Sequence, residues 1–298
     1  MRPSFGVIVG VLVLLGLVQT DPVFAQLEEN LGGMTETNAE KYLAPLDTGL
    51  SGTLNSAIFR TGYVPASGLT FTMGVTAIAV GFSDEDRTYV PTDPVGFTSQ
   101  QETEVPTVIG SLQGASVAGQ SGLVHTYPGG FDIESFELAV PQLSIGSVMG
   151  TRAIVRYVAL DLGDSEIGDF SYLGLGAQHS VSQWFDGLPV DLAAGFFFHQ
   201  MDLGDDLLKT RAYQINLTAS REYGILQPYL GIGYDSIQSE LDYVDEEDED
   251  FSLDLTLERQ NDVHFTLGTL VRFSVLAVFA EFNAAAGSGF ALGIELGK

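Results

Sequence analysis

Residues 213–223 read Tyr-Gln-Ile-Asn-Leu-Thr-Ala-Ser-Arg-Glu-Tyr, an order in which apolar and polar side chains alternate. Successive side chains of a strand point to opposite faces, so this order predicts a strand with one apolar and one polar face. Strands of soluble proteins are mostly about five or six residues long, whereas a tilted strand needs about ten to cross a membrane. The stretch therefore predicts a membrane-spanning strand with its apolar face toward lipid.

The same alternation recurs along the chain, most clearly at 263–273 and 290–296. Further strands are predicted at 69–82, 136–148, 152–162, 170–184, 188–200, 226–234 and 274–283, with weaker ones near 53–62 and 107–124. Bacterial barrels have even strand numbers. We therefore predict an all-β fold, an antiparallel transmembrane β-barrel of about 12 strands within a range of about 10 to 14, with a short N-terminal helix.

The first 25 residues have the order of a secretory signal peptide: Arg2, an apolar run over 5–18, and small residues ending at Ala25. The apolar run is shorter than the roughly 20 residues that a membrane-spanning helix needs. We expect cleavage after Ala25, then a periplasmic or plug segment at 26–50, and one barrel domain over 51–298.

Composition narrows the class of protein. The formal net charge is −27, which makes nucleic acid an unfavourable partner. Hydrophobic residues nevertheless make up 45% of the chain. Apolar strands facing lipid and acidic loops facing water would reconcile the two values. The chain contains no cysteine, which excludes disulfides and thiolate metal sites.

The segment before the first strand has helical features. Residues 37–40 read Thr-Asn-Ala-Glu, a capping-box pattern, and Tyr42, Leu43 and Leu46 follow at helical spacing. Pro45 is expected to end this helix at or soon after its position. Two placements stay open: a flexible periplasmic tail, or a plug in the barrel mouth in which these three residues pack.

The predicted connections differ in length. Residues 149–151 and 285–289 are expected to be tight turns, whereas 83–104 and 235–254 are expected to be long acidic outer loops. The acidic run at 245–250 is either a solvated loop or a weak cation site. Aromatic residues near the strand ends are expected to form the interfacial girdles. They are Tyr127, Phe131, Phe170, Tyr172, Trp184, Phe185, Tyr223 and Tyr234.

Polar residues opposite the lipid face are expected to line a wet lumen, which would tolerate a substitution such as Thr218→Arg. The candidates are His179, Asp191, His199, Gln214, Asn216, Thr218, His264, Arg272, Glu281 and Glu295. Histidine, aspartate and serine could form a hydrolytic set, but the sequence has no nucleophile elbow or zinc-ligand spacing. We expect no enzymatic activity, no cofactor and no metal.

One short motif carries a resemblance. The order Asn-Ala-Glu-Lys-Tyr-Leu-Ala-Pro-Leu at 38–46, then Gly49-Leu50 and Leu-Asn-Ser-Ala at 54–57, resembles a group of uncharacterised outer-membrane barrels of unknown function. The layout is more distantly similar to long-chain fatty-acid transporters, in which an N-terminal segment plugs the barrel. The resemblance implies the outer membrane of a Gram-negative-type bacterium.

These observations favour a selective channel or transporter for a small solute, with hydrophobic solutes as one class. The alternatives are a structural or surface-interaction barrel with acidic outer loops, and a soluble periplasmic β-protein. The expected partners are outer-membrane lipid, the solute and, during biogenesis, the outer-membrane assembly machinery. Phe290 and the alternation after it are the expected assembly signal.

Overall fold

The computed structural model describes residues 27, 29–160, 169–185, 187–204, 208–244, 252–257, 260–285 and 287–297. The predicted signal peptide and the acidic run at 245–250 lie outside these residues. No helix in the described part is both long and apolar enough to cross a membrane.

One long helix, α1 (Glu36–Leu54), precedes the strands. The strands in chain order are β1 (Ser67–Gly81), β2 (Thr88–Tyr89), β3 (Val105–Pro106), β4 (Ala115–Ala118), β5 (Val124–Tyr127), β6 (Ser135–Val148), β7 (Thr151–Leu160), β8 (Phe170–Ser180), β9 (Asp191–Leu203), β10 (Leu208–Ser220), β11 (Leu226–Val244), β12 (Ser252–Thr256), β13 (Gln260–Phe273), β14 (Leu276–Ala284) and β15 (Ser288–Gly297).

Ten strands form a closed antiparallel barrel. The order around the ring is β1, β6, β7, β8, β9, β10, β11, β13, β14 and β15, and β15 pairs with β1. β12 pairs with β11 outside the ring. The all-β barrel is thus confirmed, but the number of about 12 strands is too high. The two weakest predicted strands, 53–62 and 107–124, do not belong to the ring.

The strand faces follow the predicted alternation. On β10, Ile215 and Leu217 are exposed on the outer face, whereas Gln214, Asn216 and Thr218 are buried on the inner face. The other ring strands alternate in the same way, so exposed apolar side chains form a continuous belt around the barrel. We call the end where β1 begins and β15 ends the lower end.

The connections are longer at the upper end. The upper end carries residues 82–134 between β1 and β6 and residues 245–259 between β11 and β13. The connection at 285–287 also lies there, so it is not at the same end as the turn at 149–150. The predicted loop 235–254 is partly wrong: residues 235–244 extend β11 and pair with β10, β12 and β13.

The N-terminal segment fills the lumen. Helix α1 begins after Thr35, passes through a buried Pro45 and continues to Leu54. Packing inside the barrel therefore outweighs the helix-breaking tendency of Pro45, and the expected end of the helix there is wrong. Gly49 lies against Phe136 near the upper end, whereas Gly62 lies against Asp191 at the lower end. We call residues 36–62 the plug.

Residues 82–134, which we call the cap, cover the upper end of the plug. The hairpins β2–β3 and β4–β5 surround a small core of Val105, Val117 and Tyr127. The Val108 N–H donates to the Tyr42 carbonyl, and Ile109 is buried in the main core. The predicted loop 83–104 is thus part of a folded unit, packed on the plug.

The predicted aromatic girdle is only partly present. Tyr127 is buried in the cap, Phe131 packs against the main core, and Phe170 and Tyr172 point inward and are buried. Trp184, Phe185 and Tyr223 are exposed at the lower end, and Tyr234 is exposed on β11. The prediction used only closeness to a strand end, and this does not show whether an aromatic side chain points inward or outward.

Candidate functional site: the plugged lumen

The lower part of the plug, residues 55–62, has an irregular backbone of turns and bends whose polar groups are bound by barrel side chains. Gln214 donates to the Asn55 carbonyl at 3.0 Å, Gln142 to the Ile58 carbonyl at 3.1 Å and Gln178 to the Thr61 carbonyl at 2.9 Å. The Gly62 N–H donates to the Ser220 hydroxyl at 2.9 Å. Irregular backbone at membrane depth requires such partners, because lipid offers none.

Arg156 is the central residue of this arrangement. Its fully buried guanidinium donates to the carbonyls of Leu54, Ser56 and Ala57 at 3.2, 2.9 and 2.7 Å, and to Gln142 Oε1 at 2.9 Å. The two terminal nitrogens of the guanidinium thus hold the point where α1 ends and the irregular segment begins, while Nε donates to Gln142 of the barrel. Lysine could not reproduce this pattern, because its donors share one atom.

A second charged cluster lies near the lower end. Arg60 of the plug contacts Glu295 at 3.0 Å, and Arg272 contacts the other oxygen of Glu295 at 2.6 Å. Glu281 accepts the Ala57 N–H at 2.7 Å and the Tyr229 hydroxyl at 2.8 Å. The carboxylates of Glu281 and Glu295 thus both hold the plug. Arg60 and Arg272 share Glu295 as their partner.

A third network lies at the middle of the lumen. His264 Nδ1 is 2.6 Å from Asp235, and its Nε2 is 2.7 Å from Asn283 Oδ1. Gln214 donates to Asp235 at 2.8 Å and so connects this group to the plug. The histidine and the carboxylate are buried and hydrogen-bonded, which makes them part of the lumen packing.

The upper half of the lumen is apolar on the β6 and β7 side. Phe136, Leu138 and Val140 of β6 are buried, and Val158 and Leu160 of β7 pack against the same core. Leu43, Leu50 and Leu54 of α1 belong to this core. On this side the lumen therefore changes character at the level of Gln142 and Arg156, from apolar above to polar below. Elsewhere the upper lumen also holds buried polar groups, among them Asp47, Thr210 and Ser239.

Two titratable groups of α1 lie at the upper end. Burial raises the pKa of Tyr42 to about 12, although its hydrogen bond with Asn30 acts in the opposite direction. Burial also raises the pKa of Asp47 to about 6, against the hydrogen bond from Ser239. Both side chains therefore stay protonated up to a higher pH than they do in water.

Most of the predicted lumen residues face inward. His199, Gln214, Asn216, Thr218, His264, Glu281 and Glu295 are buried on inner faces, and Arg272 and Asp191 lie on inner faces near the lower end. His179 is a correction: it lies on the outer face of β8, hydrogen-bonded to Thr151 and 4.9 Å from the Trp184 ring. His179 is the last residue but one of β8, where an outward polar side chain lies close to the headgroups and not to the hydrocarbon.

The predicted plug residues lie in the lumen. Tyr42 and Leu43 are fully buried, and Leu46 is partly buried against the core. These positions are those of the plug placement, one of the two that the sequence left open. Thr218, which was expected to line a wet lumen, is fully buried, and its hydroxyl donates to Asn216.

Several residues that hold the plug, directly or through a neighbour, were not predicted. Gln142, Arg156 and Gln178 bind the plug backbone, whereas Arg152 donates to Gln178 and Asp235 accepts from Gln214. Their strands were predicted, and alternation along β6, β7 and β8 would have placed all but Asp235 on the inner faces. Asp235 was assigned to a loop because the acidic run after it obscured the end of β11.

The described residues contain no group of three or more histidine, aspartate or glutamate side chains placed to hold a metal ion. The arrangement instead consists of side chains that bind backbone. Its chemical effect is to seal the lower lumen with hydrogen bonds to the plug, supported by hydrogen bonds among the barrel side chains themselves.

Comparison with known proteins adds the family. A family model described as "Family of unknown function (DUF6588)" matches residues 1–298. The chain belongs to this family. The resemblance to uncharacterised outer-membrane barrels is thereby confirmed, and the DUF6588 chain has an outer-membrane-type barrel fold. No curated protein matches it in sequence.

Solved structures similar to this DUF6588 chain are outer-membrane proteins. A loop-deletion mutant of OmpT from Vibrio cholerae is 12% identical, with 78% of this chain and 100% of that chain covered and a TM-score of 0.30. The outer membrane protease OmpT from Escherichia coli is 8% identical, with coverage of 77% and 92% and a TM-score of 0.28. The Ralstonia pickettii toluene transporter TbuX is 10% identical, with coverage of 80% and 90% and a TM-score of 0.21.

Proposed function

We propose that this barrel takes up a small, uncharged, apolar solute into its upper lumen, where the solute replaces part of the packing between α1 and the β6–β7 side, while the lower lumen stays sealed. The observation that carries the proposal is the division of the lumen at Gln142 and Arg156. Above this level the inner faces of β6 and β7 carry only apolar side chains. Below it, the plug backbone is held by polar side chains of the barrel.

The division has a consequence for the solute. A polar solute or ion entering from above would lose its hydration against Leu138, Val140 and Val158 without gaining hydrogen bonds. An apolar solute would gain free energy by moving from water to contact with these apolar side chains. The β6–β7 side of the upper lumen therefore selects against charge, and the lower seal prevents the barrel from acting as an open aqueous pore.

The side of entry follows from the connections. Longer connections of such barrels lie outside the cell and shorter turns lie in the periplasm. The cap and the 245–259 connection are at the upper end, so we assign the upper end to the outside. The solute would then approach from the cell exterior, in the outer membrane of a Gram-negative-type bacterium.

The experiment is a transfer assay in lipid vesicles that contain the full mature chain. Transfer of radiolabelled toluene, used as an apolar probe, is compared with transfer of glucose and of potassium ions. We expect the protein to accelerate toluene transfer and to leave glucose and potassium at the rates of empty vesicles. Acceleration of glucose or potassium, or no effect on toluene, would contradict the proposal.

A matched pair of variants tests the role of the upper lumen. Val158→Asn places an amide among the apolar side chains above the division, whereas Thr72→Asn exchanges one polar inward residue for another near the lower end. The first substitution should slow toluene transfer, and the second should leave it unchanged. A shift in gel mobility on boiling verifies that both variants form closed barrels.

A second function, surface interaction, is supported by the cap. Val95, Leu112 and Val124 expose apolar side chains on its surface, although the cap has its own small core. A contiguous exposed apolar patch is typical of a binding surface, and the second function requires these three side chains to form one. Removal of residues 88–127 should abolish binding of a partner to the cap and leave the barrel folded. If that variant still transfers toluene, the two functions are separate.

A further inference from the structure

A group of polar side chains lies on the outer wall at the upper end of three adjacent strands. Its members are Gln200 of β9, Arg211 of β10 and Gln238 of β11, and all three side chains point outward. Arg211 is the register partner of Gln200 on one side and of Gln238 on the other. The three residues therefore lie side by side at one level of the wall. We call them the rim site.

The apolar belt ends directly below the rim site. The next outward residues toward the lower end are Phe198 of β9 and Tyr213 of β10, which are register partners. Phe196 and Ile215 follow below them, and both are exposed. Outward aromatic side chains mark the boundary between hydrocarbon and headgroups in membrane proteins. The rim site therefore lies at the level of the lipid headgroups.

Arg211 has no partner among the described residues. Its side chain is exposed, and none of these residues forms a hydrogen bond or an ion pair with its guanidinium. Lys209, the next outward residue of β10, differs because its register partners, Asp202 and Glu240, are both acidic. The register partners of Arg211 are neutral amides, which do not compensate its charge. The positive charge of the rim site is thus available to a ligand outside the protein.

The rest of the outer wall does not offer such a charge. Among the described residues of the ring strands, Lys209 and Arg211 are the lysine and arginine that point outward. Arg152, Arg156 and Arg272 point into the lumen. The chain has a net charge of −27, so most of its surface repels anions. An anion that binds the described wall should therefore bind at the rim site.

We propose that the rim site binds the phosphate of a lipid headgroup in the half of the bilayer at the upper end. A guanidinium matches the geometry of a phosphate and can donate two parallel hydrogen bonds to it. The acyl chains of the same lipid lie on Phe196, Phe198 and Ile215, directly below Arg211. This contact with the apolar belt favours a lipid over a free phosphate ion. The lipid is distinct from the solute proposed above and binds on the opposite side of the wall.

The test reads lipid contact from the quenching of tryptophan fluorescence by lipids with brominated acyl chains. The chain has one tryptophan, Trp184, which is exposed at the lower end, so Trp184→Phe gives a parent without tryptophan. Phe198→Trp in this parent places a reporter directly below the rim site. Phe290→Trp places a control reporter near the upper end of β15, on the far side of the ring.

The full mature chain is placed in vesicles of a galactolipid, whose headgroup is uncharged and contains no phosphate. The probe is a small fraction of phosphatidic acid with brominated acyl chains. Brominated galactolipid at the same fraction is the reference for random contact. The ratio of the two quenching values gives the enrichment of the phosphate lipid at each reporter.

We expect phosphatidic acid to be enriched at the Phe198→Trp reporter and not at the Phe290→Trp reporter. Adding Arg211→Gln should weaken binding of phosphatidic acid about tenfold, because hydrogen bonds to a charged group are lost. Arg221→Gln is the matched control, since it removes an equal charge from an exposed position at the lower end. This control should leave the enrichment unchanged. A shift in gel mobility on boiling verifies that each variant forms a closed barrel.

Three results would overturn the proposal. The first is equal enrichment at the two reporters, and the second is unchanged enrichment in Arg211→Gln. The third is an equal loss in Arg211→Gln and Arg221→Gln, which would make the total charge of the chain responsible.

A competition experiment separates the two sources of phosphate. Inorganic phosphate in excess should not remove the enrichment beyond the effect of sodium chloride at equal ionic strength, because it lacks the acyl chains that contact the belt. Complete displacement by inorganic phosphate would assign the rim site to the free ion and overturn the lipid as its ligand.

Discussion

Removal of the Arg156 guanidinium should release the plug while the barrel stays folded. Arg156→Met keeps an unbranched apolar side chain but deletes every donor, which leaves three plug carbonyls and Gln142 without their partner. Hydrogen bonds to a charged group contribute about 1.5–3 kcal/mol each and are not additive, so we expect a loss of about 4 kcal/mol. At about 1.4 kcal/mol per factor of ten, the ratio of docked to released plug should fall by about three orders of magnitude.

The assay measures the reactivity of a thiol placed in the plug. Ser56 is fully buried, and Ser56→Cys introduces the single cysteine of the chain. A water-soluble maleimide can reach this thiol only when the plug leaves its site, so the labelling rate reports the released fraction. Adding Arg156→Met should raise the rate by about three orders of magnitude, in proportion to the change in free energy.

Two control variants define the cause. Arg156→Lys keeps the charge but not the planar fork, and should give an intermediate rate. Arg221→Met removes an exposed arginine of a lower turn and should leave the rate unchanged. If Arg156→Met were labelled as slowly as the parent, the assignment of Arg156 as the main anchor of the plug would be refuted.

Three other predictions concern packing, face and charge. Gly49→Ala would place a Cβ against the ring of Phe136 and should loosen α1 by about 1–3 kcal/mol, whereas Gly33→Ala has open space and should be neutral in thiol labelling. Leu217→Arg on the outer face should lower the free energy of unfolding of the ring by about 2–4 kcal/mol in refolding titrations. Thr218→Arg on the inner face should leave the ring folded but increase thiol labelling of the plug. Equal ring stability for both variants would contradict the assigned faces. Because the pKa of Asp47 is raised from 3.8 to about 6, its contribution to plug stability should be present below pH of about 4 and lost as the pH rises through about 6. Asp47→Asn should remove this pH dependence of thiol labelling. The same pH profile in both proteins would contradict the prediction.

Much of the ring was predictable because its signal is local. Each ring strand carries apolar residues at every second position, as Ile215 and Leu217 do on β10, and this period requires no knowledge of the neighbours. Gln214, Asn216 and Thr218 were placed correctly for the same reason. His179 was misplaced because a polar side chain at a strand end can lie on the outer face near the headgroups.

The plug and the cap were less predictable because their structure depends on distant contacts. Residues 53–62 were predicted as a weak strand, but 53 and 54 end α1, and the irregular backbone that follows bonds to side chains such as Gln178 and Gln214. Pro45 was expected to end α1, and only the buried surroundings supplied by the barrel show why it does not. The role of Arg156 likewise appears only when β7 and the plug are seen together.

The central claim is that residues 36–62 close a ten-stranded barrel from inside, with the seal in the lower half. The most direct measurement is ion conductance in planar bilayers of three proteins: the mature chain, a deletion of 26–50, and a deletion of 26–62. The mature chain and the 26–50 deletion should be silent, since both keep the irregular segment 55–62 that Arg156 and Gln178 hold. The 26–62 deletion should show steady conductance. Steady conductance of the mature chain, equal to that of the 26–62 deletion, would contradict the account.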